Sequence, residues 1–208
     1  MDLQYYGANC ITITYKGTRF VIDDNLAELG GKSIIKADDI VLYTGTHEAP
    51  APDVKLVLDQ PGEYEVADVS IVGIAAQAHM DEANKKTTTM YKISAGDVSI
   101  VVTGHIYGDK TSSELEELGL VDVLVVPVGG NGYTLDAIGA LKVIKTVEPK
   151  LVVPTHYAEK DLHYPVPQQT LAQAITELAM EPKETTAKLR LKPAELSDVT
   201  QLVVLERS

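Results

Sequence analysis

Cysteine is nearly missing from this 208-residue chain, in which Cys10 stands alone. One thiol can neither close an intrachain disulfide nor build a cysteine metal cluster, which fits a reducing compartment. Its plain reading is a small buried strand residue. Basic clusters are missing too. Lys85-Lys86 is the longest Lys/Arg run and the formal net charge is −12, so the attraction that drives binding to nucleic acid or to an anionic membrane is lacking. The amino terminus, Met1-Asp2-Leu3-Gln4-Tyr5-Tyr6, has neither a basic n-region nor an apolar h-region. No apolar run approaches the ~20 residues that span a bilayer. A cytoplasmic location is therefore expected, with neither nucleic acid nor membrane as partner.

What is present is an ordinary globular composition, 45% hydrophobic and 23% charged, without low-complexity tracts or polar linkers. A chain of this length and balance buries a real core, and residues 1–208 are expected to form a single domain. The first half reads as short β segments. Cys10 to Tyr15 alternates Ile with Thr, Lys16-Gly17 turns, and Thr18 to Asp23 returns, which predicts a hairpin. Further strand candidates are Ile40 to Thr44, Lys55 to Leu58, Val69 to Ala75, Thr89 to Ser94 and Val98 to Thr103. Together they predict an antiparallel meander.

From residue 111 the pattern changes. Thr111-Ser112-Ser113-Glu114 offers N-cap chemistry for a short helix that ends near Gly119. Val121 to Val128 is a continuous apolar run, Thr134 to Val147 has helical apolar spacing and stops before Pro149, and Leu151 to Pro154 is a buried strand type. Gln168 to Met180 is again helical, and Thr186 to Leu191 and Gln201 to Leu205 close the chain as strands. This order predicts an α+β fold in which two sheets pack face to face with helices outside.

Four of the five histidines follow strand candidates: His47, His79, His105 and His156. Strand-end loops can present ligands without breaking a core, so these imidazoles are expected to meet at one rim. Neutral imidazole is a good ligand for zinc, iron, nickel and copper, and three histidines plus water make a competent catalytic zinc site. For each alone, an ordinary surface or core histidine is the simpler reading. His163 lacks such a placement and is read as structural.

Four segments, Gly62-Glu63-Tyr64-Glu65-Val66, Asp122 to Gly130, Gly132 to Ala137 and Pro149 to Tyr157, resemble the successive blocks of the metallo-β-lactamase superfamily. The branch they look most like holds the L-ascorbate-6-phosphate lactonase-like proteins. The resemblance runs from about residue 3 to residue 180. It implies an αββα four-layer sandwich of two mixed sheets with the active site along one sheet edge, and a zinc-dependent hydrolase.

The family signature Thr-His-x-His-x-Asp-His corresponds here to Thr44-Gly45-Thr46-His47-Glu48-Ala49-Pro50. Only the second histidine remains. Gly45, Ala49 and Pro50 offer no side-chain donor to a metal. The resemblance assigns further ligands to His79 and His156, with Asp81 and Asn84 in the segment that often carries acidic and amide residues. The family's bridging aspartate corresponds to His105, and a neutral imidazole normally binds one cation where a carboxylate bridges two. Asp23 matches an acidic residue that in the family ends the third strand and supports the ligand loop; a strand-terminal turn residue is the alternative reading.

Two readings follow. In one, His47, His79 and His105, with His156 as fourth ligand or proton carrier, hold one divalent transition metal, zinc by preference. Glu48 or Asp81 then serves as base in hydrolysis of a small ester, lactone or phosphoester. In the other, the sandwich is kept, the degenerate site holds no metal, family activity is weak or lost, and the cleft binds a small-molecule ligand. The Gly129-Gly130-Asn131-Gly132 stretch lacks phosphate-loop spacing and reads as a tight turn before a helix.

Overall fold

The structure, a computed structural model, describes residues 1–47, 53–82, 85–108 and 112–208. Strands β1 (Asp2–Gly7), β2 (Cys10–Tyr15), β3 (Thr18–Ile22), β4 (Ile40–Leu42) and β5 (Leu56–Leu58) begin the chain. Next come β6 (Gly62–Val66), β7 (Val69–Ala76), β8 (Thr88–Ala95) and β9 (Val98–Val102), then helix α1 (Ser112–Glu117). The remainder is β10 (Val123–Pro127), α2 (Ala137–Val147), β11 (Leu151–Thr155), α3 (Leu171–Leu178), β12 (Pro182–Thr186), β13 (Leu189–Arg190) and β14 (Gln201–Leu205).

They form two mixed sheets, one ordered β13-β1-β2-β3-β4-β5 and the other β12-β14-β11-β10-β9-β8-β7-β6. The expected α+β sandwich of two sheets is what the chain adopts. One apolar cluster joins Leu3, Tyr5, Ile11, Ile13 and Phe20 of the first sheet to Ile71, Met90, Tyr91, Ile93 and Val125 of the second, so their inner faces share a core. The hairpin at Lys16-Gly17 has both residues at positive φ, 46° and 85°, the backbone that matches a right-handed strand twist.

The meander is only half right. β6 to β9 run antiparallel, but β3, β4 and β5 pair in parallel, with no tight hairpin turn joining them. The parallel strands at the centre of the second sheet, Val-Leu-Val-Val-Pro in β10 and Leu-Val-Val-Pro-Thr in β11, are buried at every position, as strands covered on both faces must be. α2 packs on β10 through Ala137, Ala140, Val143, Ile144 and Val147, with α1 and α3 beside it. It starts three residues later than its periodicity suggests, since Asp136 supplies the cap by accepting from Gly139 N at 2.7 Å. α3 likewise begins after Thr170, whose hydroxyl and Gln173 make a capping box.

The outer face of β1 and β2 is covered differently. Ala8 and Cys10 pack there with Leu26 and Leu162, flanked by Tyr6, Leu29, Ile34 and Tyr164. Loops close this side, and Cys10 is the small buried residue expected of it. Among the described residues no helix is long and apolar enough to cross a membrane.

Candidate functional site

Parallel pairing puts the carboxyl ends of β3, β4, β9, β10 and β11 at one rim. The loops there carry Asp23, Thr44, His105, Tyr133 and His156, all of which line a cleft of about 260 Å³. His79 joins them from the loop after β7. A backbone clip sets its position: His79 N donates to His105 O and Tyr107 N to Gln77 O, each at 2.8 Å, and Ala78 bridges Ile106. Residues 26 positions apart thereby become neighbours.

His105 and His156 meet edge to face, with ring centroids 4.6 Å apart and planes at 84°. Tyr133 lies against both rings, at 5.0 Å from His105 and 5.8 Å from His156, and Tyr164 packs on His156 at 5.0 Å. Burial pushes the His105 imidazole down to about 3, helped by His156 and His79 and opposed by a backbone hydrogen bond at Tyr133. Burial also lowers His156 to about 4, against the hydrogen bond to Gln168. Both rings are therefore neutral at pH 7.

Asp23 is buried at the end of β3 and accepts from Thr44 N at 2.7 Å and Thr44 Oγ1 at 2.6 Å. Burial raises its carboxyl to about 6, although the Thr44 bonds and His47 pull the other way. Gly104 packs under this pair with φ +61°, where an added Cβ would fall on the Thr44 hydroxyl. Asp23 thus fastens the end of β3 to the loop after β4.

The expected rim residues divide unevenly. His79, His105 and His156 come together. His47 does not line the cleft, because its ring stacks flat on Tyr43, centroids 3.7 Å apart, with Nε2 3.4 Å from the Asp59 carboxylate. Asp81 lines the cleft, but its oxygens accept from Ala78 N at 2.8 Å, Thr87 N at 3.0 Å and Thr87 Oγ1 at 2.5 Å. Burial acts to raise its pKa, and these bonds outweigh that and hold the carboxyl below its usual value. Such a group is a poor base. Glu48, Ala49, Pro50, Asn84 and Thr111 lie outside the described residues.

Asn9, in the β1–β2 turn, escaped sequence reasoning. Its Oδ1 accepts from Thr155 Oγ1 at 3.0 Å across 146 residues, while its buried Nδ2 has no partner and borders the cleft. Gln168, beside His156, escaped it too. Neither carries a motif, and only the fold brings them to the rim.

The donor chemistry bears on metal binding directly. The buried Nδ1 atoms of His79 and His105 have no hydrogen-bond partner, an arrangement that suits ligation. Both oxygens of Asp23 are engaged by Thr44, however, and the position that the resemblance gives to a bridging carboxylate holds His105. Among the described residues no three His, Cys, Asp or Glu side chains are grouped closely enough to hold a metal ion. The described residues do not fit a two-metal centre, and for them to hold one ion the three imidazoles would have to draw together.

Comparison with known proteins agrees with the architecture. Residues 2–156 match the family described as the Beta-lactamase superfamily domain. A UPF0173 metal-dependent hydrolase of Carboxydothermus hydrogenoformans is 44% identical over 55 residues, 26% of this chain and 23% of that protein. One from Pyrococcus horikoshii is 29% identical over 136 residues, 64% of this chain and 58% of that protein. The chain thus matches less than two thirds of the length of these two relatives. A Thermotoga maritima protein assigned to the Zn-dependent hydrolases of the metallo-β-lactamase superfamily shares the fold with a TM-score of 0.75 at 24% identity, over 100% of this chain and 99% of that one. With about three quarters of its length matched to that domain, the chain belongs to the metallo-β-lactamase superfamily.

Proposed function

We propose that this protein is a metallo-β-lactamase-fold relative of metal-dependent hydrolases whose two-metal centre has contracted to a three-histidine cleft. That cleft holds at most one divalent transition metal, zinc by preference, and supports weak or no family hydrolysis. The observation that carries this reading is His105. At the place where the resemblance puts a bridging carboxylate stands a buried imidazole edge-on to His156, and a neutral imidazole gives one lone pair to one cation. The named activity of the relatives supports the hydrolase ancestry of the cleft. The lactonase-like branch is the one that the motifs resemble.

The second reading is a one-metal hydrolase of a small ester, lactone or phosphoester. The unpartnered Nδ1 atoms of His79 and His105 favour it. A bound zinc would supply Lewis acidity and a hydroxide at neutral pH. Neither Asp81 nor Asp23 is a ready base, since Asp81 is tied into its own loop and Asp23, though raised to about 6, already accepts two hydrogen bonds from Thr44. The neutral imidazoles and Asn9 Nδ2 would orient a small polar ligand.

Elemental analysis of chelator-washed, zinc-reloaded protein tests the first reading, with no more than one tightly bound ion per chain expected. Zinc at a hundredfold excess over its Kd would add about 2.7 kcal/mol, and for this chain length that moves the melting temperature by roughly 5 to 10 °C. A smaller shift, with near-background turnover of lactones and phosphodiesters, is the expected result. Two tightly held ions refute it. Zinc-dependent turnover that His105→Ala abolishes establishes the second reading instead.

A further inference from the structure

His156 is held in an unusual way. It is 3% exposed and adopts φ 54°, a left-handed backbone that costs a non-glycine residue on the order of 1 kcal/mol or more and persists only where surroundings enforce it. Its backbone N donates to Ala8 O at 2.8 Å, and Thr155 before it is fixed through Val128 N and Asn9. The ring orientation is set from the other side, by Gln168.

The direction of that bond follows from the amide. Gln168 Nε2 donates to Val166 O at 2.9 Å, and a carbonyl can only accept, so the NH₂ end of the amide must face Val166. The amide oxygen Oε1 then faces His156 Nδ1 at 3.1 Å. An amide oxygen also only accepts, so Nδ1 must carry the proton and Nε2 the lone pair. Gln168 cannot drift away easily. Its neighbour Gln169 donates through N to Gly129 O and accepts at O from Ala158 N, both at 2.8 Å.

Gly129 completes the device. A Cβ at that position would overlap both Gln168 Oε1 and the His156 carbonyl. Room for the contact therefore depends on a missing side chain.

We propose that Gln168 is a positioning residue that locks His156 in its Nδ1–H tautomer, leaving Nε2 as the acceptor offered to the cleft, and that Gly129 makes the space for it. Metal-binding histidines commonly gain their orientation from such an outer partner. A ligand with a hydrogen-bond donor would use the same lone pair. The tautomer itself does not depend on the metal reading.

Two-bond ¹⁵N–¹H correlation spectra of metal-free protein test this, with the His156 ring signals assigned by their loss in His156→Gln. Wild type is expected to show Nδ1 protonated. Gln168→Ala is expected to move the proton to Nε2, wholly or in exchange, while Gln168→Glu, which keeps an acceptor at the same reach, retains Nδ1–H. Gly129→Ala is expected to behave like Gln168→Ala. A wild-type ring protonated at Nε2, or folded Gln168→Ala that retains the wild-type pattern, overturns the proposal. If Gln168→Ala fails to fold, Gln168→Glu decides: loss of its Nδ1–H signal overturns the proposal and retention supports it. A zinc titration against a competing chelator forms a separate arm that rests on the one-metal reading, with Gln168→Ala weakening zinc by 10–100-fold. Tautomer exchange without any change in zinc affinity keeps the positioning role and removes the metal from it.

Discussion

Acidifying the metal-free protein from pH 7 to pH 5 should destabilise it through two imidazoles. His105 and His156 fall from 6.5 in the unfolded chain to about 3 and about 4 in the fold. Between those values the unfolded state binds more protons, so stability drops as pH falls below 6.5. At pH 5 each ring then costs about 2 kcal/mol relative to pH 7, because a tenfold difference in proton affinity between fold and unfolded chain is worth about 1.4 kcal/mol. Asp23 acts in the opposite sense. Its folded value of about 6 lies above its unfolded 3.8, so the native state binds the extra proton and regains roughly 1 kcal/mol over the same interval. The net loss is about 2 to 3 kcal/mol, or roughly 5 to 10 °C in melting temperature for a chain of this length.

Differential scanning calorimetry in chelator at both pH values reads this loss, and His105→Asn isolates its source. Comparing the pH difference within each variant cancels any packing cost of the substitution. With His105 gone, the loss should shrink to about 1 kcal/mol or less. Acidic groups with lowered values, such as Asp81, Glu114 and Asp122, lose their contribution only nearer pH 4, which is why pH 5 is the informative point. An unchanged melting temperature in wild type, or an acid loss that His105→Asn leaves intact, would refute the assignment of buried neutral imidazoles.

Other perturbations address the supports of the cleft. Gly104→Ala should cost about 3 to 5 kcal/mol in urea unfolding, combining a left-handed alanine with displacement of the Thr44 to Asp23 hydrogen bond; a variant with wild-type midpoint removes the claim that this contact is tight. Thr44→Val should lose about 1.5 to 3 kcal/mol and raise the Asp23 pKa further, read by carboxyl ¹³C titration. Asp136→Ala removes the α2 cap and should cost about 1 kcal/mol, with no effect on the His156 tautomer.

How far the sequence discloses this protein depends on the range of the interactions concerned. The β2–β3 hairpin is legible because Lys16-Gly17 and the alternating Ile and Thr act over a few residues. The buried runs of β10 and β11 announce themselves by lacking any polar alternation. Parallel pairing of β3 with β4 and β5 is invisible locally, since nothing within those short strands distinguishes it from an antiparallel return. In the cleft, His79, His105 and His156 were identifiable from strand-end placement and motif. His47 shares both features but turns to Tyr43 and Asp59, a choice made by packing after the strand ends. Asn9 and Gln168 were hidden because an uncharged amide has no characteristic spacing, and each acts on a partner the fold delivers.

The Asp23–Thr44–Gly104 arrangement braces one side of the cleft through the protein's own contacts. Asp23 ties the end of β3 to Thr44, in the loop after β4, through two short bonds. Gly104 lets the loop before His105 approach that same residue. None of these contacts involves a cation. If, as proposed, an uncharged imidazole stands at the bridging position, this side of the rim carries no charge that a cation must balance, and the buried Asp23 carboxyl is satisfied by Thr44. These hydrogen bonds are expected to persist on chelation. Retention of the cleft is therefore no argument for retention of the metals, and only a measurement on the histidines themselves bears on that.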